Sequence, residues 1–339
     1  MVGTKTVDKD LKRLSRVEKA TLQMGRGSVK IGIGFLFVLG VGIYLALQAG
    51  TGEDELFVVA AGLIGAYMAL NIGANDVANN VGPAVGSAAL TLTGALIIAA
   101  VFETAGAVLA GSDVVSTIRK GIIDPAGIAT AAQFTWAMMA ALLSAALWIN
   151  LATWVGAPVS TTHSIVGGVM GAGIAAAGWS AVNWTTMSKI AASWVISPVL
   201  GGLVAAAFLA LIKFMIVFKD DKISAAKRWV PILVAIMAAA FSTYLIMKGL
   251  KNIWKPGAPM LLAIAAASFF IAWYLVRIWV FKAAEGLENN RKSVGTLFTV
   301  PLICSAAMLS FAHGANDVAN AVGPLAAIVG SVYSGEVVS

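Results

Sequence analysis

The sequence has few charged residues, one cysteine and two histidines. Charged residues make up 12% of the 339 positions and hydrophobic residues 59%, which lies outside the usual range of soluble domains. A single cysteine, Cys304, excludes an intramolecular disulfide and a site built from several thiolates. His163 and His313 lack the spacing of paired metal ligands. We therefore predict an integral membrane protein, not an enzyme, with no catalytic residue, no transition-metal site and no cofactor.

Apolar runs of membrane-spanning length recur along nearly the whole chain, and they contain many glycine and alanine residues. Such residues allow close helix packing in lipid. The pattern predicts an all-α polytopic membrane protein in contact with membrane lipid. Its nine predicted spans lie at about residues 31–49, 56–74, 88–110, 130–154, 159–177, 189–214, 230–248, 258–280 and 296–313.

The net charge of +7 comes from basic residues that flank apolar runs rather than from one basic surface. This pattern favours orientation in a bilayer over binding of nucleic acid, so we expect no nucleic-acid partner. Residues 1–30 are basic, whereas the following loop has acids at 53–55. We predict a cytoplasmic amino terminus in the cell (inner) membrane. The basic loops near residues 119–120 and 248–255 do not follow this rule.

The stretch GANDVANNVGP at residues 73–83 recurs as GANDVANAVGP at residues 314–324. Glycine and proline bracket the polar residues of each copy, so we expect both helices to break there. The predicted spans place the two copies antiparallel to each other. That arrangement is typical of inverted-topology repeats with broken helices that meet near the bilayer midplane. The prediction depends on residues 157–177, which would change the count if they re-enter the membrane instead of spanning it.

The polar residues of the two copies favour a site for ions. Asp76 and Asp317 offer anionic oxygen to a small cation, and a carboxylate at membrane depth indicates function. Asparagine side chains both donate and accept, so they can bridge a cation and an oxyanion. The asparagines concerned are Asn75, Asn79, Asn316 and Asn320.

A second polar stretch, GAPVSTTHSIVGG at residues 156–168, lies between two apolar runs and predicts a re-entrant or hairpin segment. Pro158 at a helix start, followed by consecutive hydroxyls, forms a suitable cradle for an oxyanion. The hydroxyls are those of Ser160, Thr161 and Thr162. We assign supporting roles to Glu103, which lies at membrane depth, and to His163 and His313.

The duplicated GANDVAN, together with PVSTTH and the stretch SDVVSTIRKGII at 112–123, resembles the inorganic phosphate transporter (PiT) family. The resemblance implies symport of inorganic phosphate with sodium or protons by two inverted repeats. It also implies that sodium and phosphate sites are lined by Asn75, Asp76, Asn79, Asn316, Asp317 and Asn320. Phosphate would in addition bind Ser160, Thr161 and Thr162.

The resemblance also suggests how the chain is organised. Residues 1–55 would be an added basic segment with an extra first span, and residues 56–215 the first repeat. Residues 216–295 would connect the repeats, and residues 296–339 would begin the second one. The family's second hydroxyl hairpin would fall near residue 399, so we expect a second repeat that is incomplete here. The sequence leaves open whether the chain forms a homo-oligomer.

Two other functions fit the residues alone. A related permease for sulfate or another tetrahedral oxyanion would use the same hydroxyls and helix end. An intramembrane aspartyl hydrolase would use Asp76 and Asp317 as a pair of carboxylates that share a proton. The coupling ion also stays open, since Glu103 and the histidines allow proton coupling while the oxygen-rich clusters suit sodium.

Overall fold

A computed structural model describes residues 32–48, 52–124, 127–250 and 254–335. Within these ranges the chain is helical, with one isolated bridge between Ile123 and Val182, and the predicted all-α membrane fold is confirmed. The helices are α1 (Gly32–Gln48), α2 (Glu53–Gly86), α3 (Leu92–Ala110), α4 (Ser112–Lys120), α5 (Ala131–Trp154), α6 (Thr161–Ala177), α7 (Trp184–Ile212), α8 (Lys222–Tyr244), α9 (Ala258–Ala283), α10 (Arg291–Leu297), α11 (Thr299–His313) and α12 (Ala319–Ser334). The basic segment at residues 1–30 lies outside the described residues.

Each predicted span corresponds to a helix, but not all of these helices are long enough, in the described part of the chain, to cross a bilayer. Among the described residues, six helices are long and apolar enough to cross a bilayer. A seventh span results if α10 and the helix that follows it, bent by 48°, count as one. The helices α1 and α6 are shorter, and α6 has 17 residues. A span needs about 20 residues to cover the hydrocarbon core, so apolarity alone overestimated α6, whereas α1 is described only between residues 32 and 48.

The helices that carry the two motif copies pack against each other in opposite directions. Gly65 of α2 faces Leu325 of α12, whereas Asp76 lies near His313 at the end of α11. Further along α2, Ala84 shares a buried cluster with Ala306. Residue numbers therefore rise along one helix as they fall along the other, which confirms the predicted antiparallel arrangement. The two motifs meet at their amino-terminal parts.

The first motif does not break its helix, contrary to the prediction. α2 runs without interruption for 34 residues from Glu53 to Gly86 and contains Pro83. Proline removes one backbone donor and often kinks a helix, but packed neighbours tolerate it in membranes. The second motif does depart from α-helix, because Gly314–Val318 form one π-helical turn between α11 and α12. The predicted local break is therefore found in one copy only.

Helices α5 and α6 form an antiparallel hairpin whose tip lies at residues 155–160. Near the open end, Gln133 Nε2 donates to the Ala176 carbonyl over 2.8 Å. Nearer the tip, Gly168 lies against the Ala141 carbonyl. The hairpin packs into one apolar core with α2 and α12, and this core includes Met68, Phe134, Met138, Leu142 and Ile328. The core fixes the hairpin tip beside the second motif.

Helices α8 and α9 form a separate part of the bundle. Val230 and Val234 of α8 pack with Val280 of α9 in a second core, which also includes Leu297 of α10. The most apolar stretches of α7 and α9 are not buried by the rest of the described chain. In a membrane protein such surfaces face lipid or another protein. α8 thus packs between α9 and the rest of the helical bundle.

Candidate functional site

Three carboxylates surround the imidazole of His313. Its Nδ1 lies 3.1 Å from Glu103 Oε1, and its Nε2 lies 3.1 Å from Asp317 Oδ2 and 4.0 Å from Asp76 Oδ2. These four side chains come from α2, α3, α11 and the π-helical turn, and all are largely buried. The sequence analysis predicted that the two aspartates bind a cation, and it assigned His313 only a supporting role. The structure places His313 at the centre of the cluster.

Two glycines bring Glu103 to this cluster. A Cβ atom on Gly106 would overlap the Phe311 carbonyl oxygen, and a Cβ on Gly314 would overlap the Glu103 carbonyl oxygen. Backbones of α3 and the π-helical turn therefore touch directly, which only glycine permits. This close approach places the Glu103 side chain against the His313 ring.

Carboxylate oxygens face both ring nitrogens of His313. Asn80 Nδ2 donates to Glu103 Oε1 over 3.0 Å, and the same oxygen faces His313 Nδ1. If Nδ1 carries the proton, Nε2 presents a lone pair toward Asp317 and Asp76. In the described part of the chain, the buried His313 Nε2 has no partner that satisfies the geometry of a hydrogen bond, although Asp317 Oδ2 lies 3.1 Å away. One ligand atom from each of Asp76, His313 and Asp317 lies within 4.8 Å of the others. A positive charge in this space would stabilise the cluster.

A network of hydroxyls and amides surrounds the other oxygen of Asp317. Thr162 donates from Oγ1 to Asp317 Oδ1 over 3.0 Å. Asn320 Nδ2 lies 3.0 Å from Thr162 Oγ1, 3.2 Å from Asp317 Oδ1 and 3.4 Å from Thr161 Oγ1. Asn316 Nδ2 donates to the same Asp317 oxygen over 3.2 Å. The α5–α6 hairpin therefore contacts the second motif. Among the described residues, the buried Asn320 Oδ1 has no hydrogen-bond partner.

An open cavity of about 630 Å³ borders this network at the amino end of α6. Ser160 caps α6 by accepting from the His163 backbone N–H, and exposed backbone donors of a helix start attract anions. The His163 ring lies edge-on to Trp194 with ring centres 3.8 Å apart. Polar side chains lining the cavity are Asp113, Thr117, Ser160, Thr162, His163, Ser193, Ser197, Asn316 and Asn320.

Two predicted site residues lie outside this network. Asn75 Nδ2 donates to Thr153 Oγ1 over 2.9 Å, and Asn75 Oδ1 accepts from the Val159 N–H over 3.4 Å. Asn75 thus holds the hairpin tip. The Asn79 side chain is exposed and makes no hydrogen bond to the described part of the chain. Its neighbour Asn80 reaches the cluster instead, because Asp76 and Asn80 are four residues apart on one face of a continuous α-helix.

The sequence analysis missed several residues of the site. Asn80 is the one position at which the two motif copies differ, since Ala321 replaces it, so duplication drew attention away from it. His313 directly precedes the second motif, and this position was its only signal. Thr117, Ser193 and Ser197 line the cavity from α4 and α7. No spacing in the sequence indicates that these three hydroxyls share one cavity.

Comparisons with known proteins agree on one family. The sequence pattern of the "Phosphate transporter family" matches residues 72–339. A protein of Helicobacter pylori strain J99 named "Putative phosphate permease" is 51% identical over 319 residues, which are 94% of this chain and 60% of that protein. A protein of the same name from Chlamydia trachomatis is 38% identical over 299 residues, covering 82% and 70% of the two chains.

A solved structure titled "The sodium-dependent phosphate transporter" superimposes with a TM-score of 0.77 and 38% sequence identity. The match covers 84% of this chain and 70% of that one. The chain spans about 60% of the length of the Helicobacter pylori relatives.

Proposed function

Since this chain belongs to the phosphate transporter family, we propose that it forms part of a cation-coupled symporter of inorganic phosphate. The symporter would work by alternating access between two inverted repeats in the cell (inner) membrane, with a cytoplasmic amino terminus. In this proposal residues 56–215 provide the first repeat and residues 296–339 begin the second. The observation that carries the proposal is that the two oxygens of Asp317 face two different sites.

One oxygen of Asp317 belongs to the proposed cation site. Oδ2 lies beside His313 Nε2, and Asp76 Oδ2 approaches the same nitrogen from the other motif. We assign the coupling cation to the space between these two carboxylates. Sodium fits best, because hard cations prefer oxygen ligands and because the structurally similar protein is titled sodium-dependent. Glu103 contacts His313 Nδ1 and accepts a hydrogen bond from Asn80, so these three side chains hold the imidazole in position beside the proposed cation.

The other oxygen of Asp317 belongs to the proposed phosphate site. Oδ1 accepts from Thr162, Asn316 and Asn320, all of which also line the cavity at the start of α6. A phosphate in this cavity would receive hydrogen bonds from these groups, from Ser160 and from the first backbone N–H groups of α6. Thr161 is buried and positions Asn320 from behind.

Sharing Asp317 explains why binding of the two ions would be coupled. Without a cation, the carboxylate repels an anion in the neighbouring cavity. A cation at Oδ2 offsets this charge, so phosphate binds more tightly when the cation is present. The hydrolase alternative is less well supported, because His313 Nε2 lies next to both carboxylates, whereas an aspartyl pair shares a proton directly.

Binding of radioactive phosphate to the purified chain tests this proposal. We expect binding in sodium buffer and at least tenfold weaker binding when choline replaces sodium. Asp317→Asn should remove the sodium dependence. Thr162→Val should weaken phosphate binding by about 10- to 150-fold, since a hydrogen bond to a charged group contributes about 1.5–3 kcal/mol.

Thr243→Val is the matched control, because Thr243 Oγ1 donates only to the Ala239 carbonyl of its own helix. It should bind phosphate as the unchanged chain does. Equal competition by sulfate would support the permease for another oxyanion. Binding that depends on pH and not on sodium would contradict the assignment of sodium. Uptake into liposomes under imposed sodium and pH gradients then distinguishes transport from binding.

A further inference from the structure

A second polar cavity lies far along the chain from the proposed phosphate site, between one end of α8 and one end of α9. Its volume is about 520 Å³, and it shares no lining residue with the first cavity. Three cations line it, and no carboxylate does. The lining residues are Ser224, Lys227, Arg228, Ile232, Trp273, Arg277 and Phe281.

Aromatic rings hold two of the three cations in place. The Arg277 guanidinium lies 5.0 Å from the centre of the Trp273 ring and 5.4 Å from that of Phe281. Lys227 Nζ lies 5.4 Å from the Phe281 ring centre. These are cation–π distances, and they leave the charges directed toward the cavity. Within the described ranges, no ion pair involves Lys227, Arg228 or Arg277. Asp221 interacts electrostatically with Lys227 from outside the cavity, but no carboxylate is among the lining residues. Three like charges around one cavity repel each other unless an anion joins them.

The cavity continues as a groove along the outer side of α9. An adjoining cavity of about 740 Å³ shares Trp273, Arg277 and Phe281 with the first. It adds Tyr274, Ile278 and Lys282, together with one carboxylate, Glu285. The apolar surface of α9 beyond the groove is not buried in the described chain. The site is therefore charged at one end and apolar along its length.

We propose that this groove binds an anionic phospholipid, with its phosphate group among Lys227, Arg228 and Arg277. Arg277 lies six residues before the end of α9, about 9 Å along the helix axis, so it is near one end of this apolar helix rather than at its middle. The acyl chains would lie on the exposed apolar side of α9, past Tyr274 and Ile278. A free phosphate ion could contact the same three cations, but it has no apolar part that would contact this surface.

The charge of this end of the molecule supports an anionic lipid. Lys219 and Lys222 lie at or just before the start of α8, and Arg291 and Lys292 begin α10. The same segments carry the acids Asp220, Asp221, Glu285 and Glu288. The positive-inside rule counts lysine and arginine, and it places such segments in the cytoplasm. Basic pockets between helices on the cytoplasmic side are typical sites for anionic head groups. A zwitterionic lipid also offers a phosphate, but its choline group would be repelled by the same three cations.

Native mass spectrometry of the whole chain with added phosphatidylglycerol or phosphatidylcholine tests the proposal. We expect one retained phosphatidylglycerol, which millimolar inorganic phosphate does not displace. The double substitution Arg228→Gln and Arg277→Gln should weaken phosphatidylglycerol binding by about tenfold or more. Each basic residue near anionic lipid typically contributes about 1 kcal/mol. Arg291→Gln with Lys292→Gln removes the same charge from exposed residues of α10 and should have little effect.

The outcomes separate this site from general attraction and from the proposed phosphate site. Equal losses in both double variants would overturn the proposal, as would equal retention of phosphatidylcholine. Displacement by inorganic phosphate would instead identify free phosphate as the ligand and also overturn it. Should the first variant aggregate, Lys227→Gln and the lipid selectivity of the unchanged chain decide the question. Sodium-dependent phosphate binding should remain in every folded variant.

Discussion

The two copies of the motif have nearly the same sequence and two different structures. GANDVANNVGP lies within the continuous helix α2, whereas GANDVANAVGP begins with a π-helical turn. Asn320 is fully buried in the hydrogen-bond network, while its counterpart Asn79 is exposed. The motif alone therefore does not determine its conformation. Both copies contact α3 and the α5–α6 hairpin, but only in the second copy do glycines lie directly against the Glu103 backbone of α3 and against Ile118 of α4. We attribute the difference to this closer packing.

Equivalent glycines show the same contrast. A Cβ on Gly314 or Gly323 would overlap a neighbouring helix, whereas a Cβ on Gly73 would meet only Val77 of its own helix and one on Gly82 would meet nothing. The second copy thus requires glycine for packing. Glycine in the first copy has no such packing requirement in the described chain.

Alanine at the first glycine of each copy should give the largest difference. Gly314→Ala forces the Glu103 carbonyl away and should destabilise the protein by about 3 kcal/mol, the upper part of the usual range for overpacking. Gly73→Ala should be neutral or stabilising by about 0.5–1 kcal/mol, because alanine favours a helix. Thermal unfolding of the detergent-purified variants measures both effects. Equal Tm values for the two variants would show that the copies are packed alike.

Removing the equivalent asparagines should give an intermediate difference. Asn320→Ala deletes the amide that binds Thr162 and Asp317, which should cost about 1–3 kcal/mol of stability and weaken phosphate binding. Asn79→Ala should change stability by less than about 0.5 kcal/mol, as expected of an exposed position. Unfolding curves and phosphate binding of both variants check this prediction. A larger loss for Asn79→Ala would mean that the first copy has partners of equal strength.

The smallest difference is expected at the second glycine of each copy. A Cβ on Gly323 would lie 2.8 Å from Ile118 Cβ and 2.9 Å from its Cγ2, so Gly323→Ala should cost about 1 kcal/mol. Gly82→Ala should be neutral or slightly stabilising. Adding Ile118→Ala to Gly323→Ala tests the proposed contact, because it removes the Cγ2 methyl that lies 2.9 Å from the added Cβ. Gly323→Ala should then cost less than it does beside Ile118. Thermal unfolding that shows no interaction between these two substitutions would contradict the contact.

Much of the fold was predictable because apolar length and loop charge act locally along the chain. The helices and the antiparallel motifs follow from such patterns. That Thr162 contacts Asp317 and Asn320 of the second copy does not, since the family resemblance implied only that these residues share a site. The continuity of α2 did not, because a proline and two glycines permit either a break or a helix, and packing decides between them. The central position of His313 depends on the contact of Gly106 and Gly314 with facing backbones, which sequence spacing does not show.

The contact between Thr162 and Asp317 joins residues 155 positions apart. During synthesis the α5–α6 hairpin leaves the ribosome well before α11 and α12, so its tip hydroxyls must enter the membrane without their final partners. The site can form only after the second motif has been placed antiparallel to α2. Until then, water or lipid head groups must satisfy Thr161 and Thr162. A complete site therefore requires that the second motif has packed against the tip of the α5–α6 hairpin.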